Sequence, residues 1–202
     1  HGGHVPGVAA QIGALKDRAV RGYVLGYAAH CWELFGLRSW IVGLLAFAAT
    51  QGSLPLAPAT AAALINLVGI PASILGNEFA GRRDRRRTIL GIMLASGVLA
   101  WAVGAAASWP LLLLALLVVY QVVVMADSAA LTAGLVAVAD PARRGAVMAV
   151  YSMAGFGAGF LSPLVAGAVL DAGGGNSSAL AWMLATGSLG IWCLLAPLAL
   201  RR

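Results

Sequence analysis

This sequence predicts an all-α integral membrane protein of six transmembrane helices, and three observations carry that expectation. Of 202 residues, 61% are hydrophobic and only 10% charged, which is more apolar surface than a soluble domain of that length can bury. The apolar residues fall into six segments, roughly 23–48, 57–79, 88–107, 110–138, 145–170 and 179–199, each near or above the roughly 20 residues that cross a bilayer. Every Lys and Arg except Arg38 lies outside those segments, and only in alternate loops.

Residues 1–22 form a polar lead containing Lys16, Arg18 and Arg21, and residues 23–202 form the membrane domain. His1 and His4 lie in a Gly-rich start and read as flexible loop rather than a metal site. The chain opens on His1 without a Met or a signal peptide, and so reads as a fragment.

The first break, Gln51-Gly-Ser-Leu-Pro55, carries no basic residue. The second is the run Gly76–Thr88, with five arginines at Arg82, Arg83, Arg85, Arg86 and Arg87. Ser108-Trp-Pro110 is again uncharged, Asp140-Pro-Ala-Arg-Arg144 is basic, and Asp171-Ala-Gly-Gly-Gly-Asn-Ser-Ser178 has no Lys or Arg. The Arg201-Arg202 tail completes the alternation. Lys and Arg near span ends are retained on the cytoplasmic side, which predicts six spans with both termini cytoplasmic. The expected setting is a bacterial inner (plasma) membrane. The net charge of +6 follows from this topology, and no nucleic-acid partner is expected.

Cys31 and Cys193 both lie inside apolar runs and read as small buried residues rather than a disulfide or metal pair. In the fifth span, Gly155, Gly159, Pro163 and Gly167 recur every four residues, on one helix face. Small residues there let another helix approach closely, and Pro163 interrupts one backbone bond. This face reads as ordinary packing of a Gly-rich helix or, alternatively, as a seam for helices missing from the chain.

Two spans carry polar residues that lipid does not welcome. On the first, Tyr23, Tyr27, His30, Glu33 and Arg38 fall within an arc of roughly 140°. An ionised group at mid-bilayer costs on the order of 3 kcal/mol or more, so this stripe must face a water-filled cavity or a partner. The fourth span supplies Tyr120, Gln121, Asp127, Ser128 and Thr132. Helical rise puts Asp127 within a turn or two of Glu33 in depth. One reading is a substrate and proton pathway through His30, Glu33, Arg38, Gln121, Asp127, Ser128 and Thr132. The other is a structural ion pair in which Arg38 neutralises Glu33 or Asp127. Asn66, mid-way along the second span, reads as a helix–helix hydrogen bond. An enzyme is not expected: Ser96-Gly97 is the arrangement of an intramembrane serine protease, but His1, His4 and His30 are the only histidines and no later span offers a base. No metal or other cofactor is expected either.

The run Asn77-Glu-Phe-Ala-Gly-Arg-Arg-Asp-Arg-Arg-Arg87 resembles the cytoplasmic loop motif of the major facilitator superfamily, G-x-x-x-D-[RK]-x-G-[RK]-[RK]. Asn77 and Asp84 stand where the motif has Gly, and Gly81 stands where it has Asp. Glu78 is the carboxylate left to serve the motif's lock between helices. Pro141-Ala-Arg-Arg-Gly-Ala-Val-Met-Ala-Val-Tyr-Ser152 is similar to the loop entering that family's eleventh helix, and Gly155–Gly167 resembles its antiporter motif without the Gly-Pro and Gly-Gly pairs. The resemblance covers all six spans and implies one half of a 12-helix fold built as a 3+3 repeat, with the first and fourth helices lining the cavity. The long lead is similar to the linker between family halves, which implies the carboxyl-terminal half and a missing amino-terminal six-helix half as partner. The implied function is secondary active transport of a small solute (an organic anion, metabolite or drug) by alternating access with proton coupling. A non-transporting six-span channel or assembly subunit is the other reading.

Overall fold

The computed structural model describes residue 13 and residues 15–199; His1, His4 and the Arg201-Arg202 tail lie outside them. All regular structure among the described residues is helical: α1 Arg18–Gln51, α2 Pro58–Gly81, α3 Arg85–Ala105, α4 Pro110–Ala126, α5 Ser128–Val138, α6 Arg144–Ala172, α7 Ala179–Leu194 and α8 Ala196–Ala199. Six helical stretches are long and apolar enough to cross a membrane, the fourth being α4 with α5 and the sixth α7 with α8. The chain fits a membrane-embedded protein.

Local chemistry sets the ends. Asp17 caps α1 by accepting from the amides of Ala19 at 2.7 Å and Val20 at 3.3 Å, so the helix starts at Arg18 rather than near residue 23. Asp84 caps α3 through the Arg87 amide at 3.0 Å, and Ser178 caps α7 through Ala181 at 3.2 Å. Pro58 and Pro110 open α2 and α4, where a missing N–H costs nothing. The turn after α6 places Gly174 and Gly175 at positive φ, a backbone that glycine adopts freely.

Two of the expected spans remain single spans but loosen at one residue each, where the backbone stays right-handed. The fourth lapses at Asp127, whose side chain turns away from its own backbone toward α1. The sixth lapses at Leu195, just before Pro197, which has no N–H to give the preceding turn and crowds its carbonyls.

Three helix pairs dominate the packing: the first span with the fifth, the second with the fourth, and the third with the sixth. Without a hydrophobic drive between helices in lipid, such pairs hold by close backbone approach. On the third and sixth spans, Gly97 and Gly190 face each other, so that a Cβ on Gly190 would stand 2.7 Å from the Gly97 carbonyl. Gly76 of α2 lies directly against the carbonyl of Ala126, one residue before the lapse in the fourth span. Two buried apolar clusters close the ends. Leu44, Ala61, Leu113 and Leu170 belong to the first, and Val20, Ala80, Leu135 and Val147 to the second, beside the arginine-rich turn.

The Gly155 and Gly159 face is filled from within. Gly155 lies against Tyr27 and Cys31, Gly159 against Phe35, and Gly167 against Trp40, all on α1. Trp40 Nε1 also donates to the Pro163 carbonyl at 2.9 Å. This face is therefore this chain's own contact between its first and fifth spans, as the packing reading has it, rather than a seam for missing helices. The outward face of the fifth span is a different one, with Met153, Phe156, Phe160 and Leu164 exposed.

A candidate proton and substrate site between the first and fourth spans

The polar stripe of α1 does not face one cavity. It divides among partners on different helices. His30 Nδ1 lies 2.8 Å from Asp127 Oδ1, with both side chains almost wholly buried. Neither atom has a hydrogen-bond partner among the described residues. The contact is a close approach of imidazole and carboxylate, and becomes an ion pair when the imidazole is protonated.

One turn along α1, Glu33 sits 1% exposed in a nest of neutral donors. Tyr120 Oη donates to Oε1 at 2.9 Å. Ser96 Oγ donates to Oε2 at 2.8 Å and Cys193 Sγ approaches the same oxygen at 3.1 Å. These donors come from the third, fourth and sixth spans, so one carboxyl ties four helices together. Arg38 is not among its partners.

Arg38 is exposed, and its nearest polar contact is Met125 Sδ at 3.8 Å. Among the described residues the ion pairs are His30–Asp127, Arg82–Glu78 and Arg87–Asp84. The expectation that Arg38 neutralises Glu33 or Asp127 is therefore corrected. The reason lies in helix rotation: from Glu33 to Arg38 is about 500° at 100° per residue, which turns Arg38 well off the Glu33 direction. Gln121, on the fourth span, is fully buried with neither amide atom hydrogen-bonded among the described residues. Its neighbour is Gly69 of α2, where a Cβ would stand 2.7 Å from Gln121 Nε2 and 2.8 Å from Met125 Cγ. Met125 thus touches both Arg38 and the Gly69 surface, which puts the free guanidinium beside the Gln121 layer. Asn66 donates to its own helix at Ala62, 2.9 Å away, and its Oδ1 is left without a partner; the expected bond to another helix is absent from the described contacts.

The last two expected site residues serve packing and a ring contact. Ser128 opens α5 and accepts, through its carbonyl, a 3.4 Å bond from Thr132 Oγ1. Thr132 Oγ1 also meets Tyr151 Oη at 3.0 Å, and Tyr151 stacks on Tyr27 with ring centres 3.8 Å apart. Tyr151, Ser96 and Cys193 complete the polar layer, and no spacing in the sequence singles them out as its members.

In the arginine-rich turn, Glu78 does not reach across helices. It pairs with Arg82, the residue just past the end of its own helix, at 3.7 Å, with both side chains largely exposed. The bridge between helices is made by Arg85 instead, whose Nη1 donates to Asn77 Oδ1 at 2.7 Å and to the Ala130 carbonyl at 3.4 Å. Arg83 lies over the Phe79 ring, 4.2 Å from its centre, and Arg87 meets Asp84 at 3.6 Å. Arg86, like Arg85, is partly buried. No group of three or more His, Cys, Asp or Glu side chains with metal-binding geometry occurs among the described residues.

Compared with family models, curated proteins and solved structures, the chain matches none.

Proposed function

We propose that this chain is one six-helix half of a secondary active transporter of the major facilitator type, moving a small anionic solute by alternating access and coupling it to protons. The observation that carries the reading is the His30–Asp127 contact. It is a buried acid–base pair at a lapse in a membrane span. Ionisable groups at such depth are rare and mark ion or substrate paths by default.

The pair stores one proton. A neutral imidazole beside a carboxylate has a net charge of −1, and uptake of one proton makes it zero, whichever atom holds it. That change occurs beside the lapse after Ala126, where α2 presses through Gly76. A charge switch is thereby joined to the backbone contact between the second and fourth spans. Arg38, exposed and without a carboxylate partner, supplies the positive charge for an anionic solute, with the Gln121 amide as a further polar group nearby.

The helix pairing supports a 3+3 repeat. Exchanging spans one, two and three for four, five and six turns the 1–5 pair into 4–2 and leaves 3–6 unchanged. The dominant contacts are thus the same set before and after the exchange.

The test uses the full-length protein in proteoliposomes, assayed for flux of a metabolite and drug panel under an imposed pH gradient. The expected result is gradient-driven accumulation of an anionic solute. Asp127→Asn should abolish that accumulation while leaving energy-independent exchange measurable. If Asp127→Asn and Glu33→Gln both accumulate solute with unchanged pH dependence, neither carboxyl couples transport to protons. Passive, unsaturable flux through the wild type would favour the channel reading.

A further inference from the structure

A second feature lies outside the polar layer, at the arginine-rich end. The third and fourth spans leave between them a groove of about 580 Å³. Its mouth is polar and basic, formed by Arg83, Arg87 and Thr88, with Asp84 also on the rim. Its floor is apolar, with Gly91, Ile92 and Ala95 on α3 facing Val122, Val123 and Ala126 on α4. From Thr88 to Ala95 the helix rises about 10 Å, so the apolar part extends about a third of the way through a typical hydrocarbon core.

We propose that this groove seats an anionic phospholipid, with its phosphate on Arg83 and Arg87 and one acyl chain lying over Gly91. Three features of the site select that occupant. The two arginines sit at the end of a membrane span, at the depth of a headgroup, where basic pockets between helices hold anionic lipid. Arg83 is held at the rim by the Phe79 ring, 4.2 Å from its carbon, so its guanidinium is pre-positioned rather than free to wander. Beyond its own helix backbone and chain neighbours, Gly91 has no atom of the described residues within 4 Å of the place a Cβ would occupy, which leaves the wall open to a chain without displacing a side chain. Asp84 lowers the positive charge of the rim and meets Arg87 at 3.6 Å. A phosphate engages the outward donors of Arg87 while that pair persists, a geometry that five N–H groups allow.

The lipid lies across two parts of the fold. Its headgroup rests on the turn between the second and third spans, and its chain lies against α4 just ahead of the lapse at Asp127. The site stands apart from the transport reading, and retention of lipid measures it without any flux assay.

The experiment is native mass spectrometry of the full-length protein released from nanodiscs of equal parts phosphatidylglycerol and phosphatidylcholine. The wild type should retain phosphatidylglycerol in preference. R83Q/R87Q should lower that preference by about 25-fold, about fivefold for each arginine near the surface. R83K/R87K keeps both charges and should hold most of the preference. G91L fills the open wall and should reduce retention of both lipids alike, with the helical circular dichroism unchanged. Soluble glycerol phosphate should not displace the bound lipid, because it lacks the chain. The proposal is overturned by equal retention of the two lipids in the wild type, by loss of preference in the lysine variant, by indifference to G91L, or by displacement with glycerol phosphate.

Discussion

His30 on the first span and Asp127 on the fourth meet at 2.8 Å in a layer almost closed to solvent. Neither atom has a hydrogen-bond partner among the described residues. Each is therefore the whole local compensation for the other. Removing one partner of such a pair leaves an uncompensated polar group in a low dielectric, at a cost of about 3–5 kcal/mol, whereas removing both can be close to neutral. Asp127→Leu and His30→Leu should each lower unfolding stability in detergent by that order. The double variant should lose clearly less than their sum. Additive losses would mean that the contact contributes nothing of its own.

The packing of the fifth span gives a sharper contrast between neighbours. A Cβ at Gly159 would stand 2.5 Å from Phe35 on α1, whereas one at Gly157 would meet nothing within 4 Å. Gly159→Leu must push the first and fifth spans apart, and overpacking of this kind costs about 1–3 kcal/mol. Gly157→Leu should change the melting temperature little. Thermal melts of the two variants in detergent check this directly. Equal behaviour would show that the first span does not occupy this face.

How far the sequence leads depends on whether a property belongs to one helix or to two. Span number and the Gly155–Gly167 stripe follow from hydropathy and four-residue spacing, each a property of a single helix. The sequence also brings His30, Glu33 and Asp127 forward, because charge inside an apolar run is conspicuous. It does not show that Glu33 belongs with Ser96 and Cys193, two unremarkable small residues, rather than with Arg38. That pairing depends on how four helices are rotated against one another. The same limit applies to the glycine face: spacing identifies a close-packing face and is silent on which helix fills it. Glu78, which the family resemblance alone offers as a lock between helices, meets Arg82 just past the end of its own helix, while the amide oxygen of Asn77 accepts from Arg85.

Sidedness is tested by chemistry at the two ends. Arg82, with its side chain 81% exposed, and Ser177, also exposed, lie in the second and fifth loops. Native Cys31 and Cys193 are 1% and 0% exposed, so a membrane-impermeant maleimide should leave them unlabelled. Arg82→Cys should label only from the cytoplasmic side and Ser177→Cys only from the opposite side. Labelling of both from one side would refute an odd number of crossings between those loops and with it the six-span topology.

Arg38 carries the last prediction. Its guanidinium is exposed beside Met125, near the middle of the fourth span, and no carboxylate neutralises it among the described residues. A cation left at that depth is costly in lipid, so it faces water or an anionic ligand. If the solute is a carboxylate or phosphate, the planar fork of arginine grips two oxygens at once, which a lysine ammonium cannot do. Arg38→Lys should then keep transport but raise the half-saturating concentration by about tenfold, the loss of one charge-assisted hydrogen bond. Arg38→Gln removes the charge as well and should abolish saturable uptake of the anion. Fold stability should barely change in either variant, since Arg38 makes no ion pair among the described residues. Concentration-dependent uptake by the full-length protein, alongside a thermal melt of each variant, separates the two effects. A large fall in stability with unchanged affinity would assign Arg38 to the fold and leave the solute's charge to be read elsewhere.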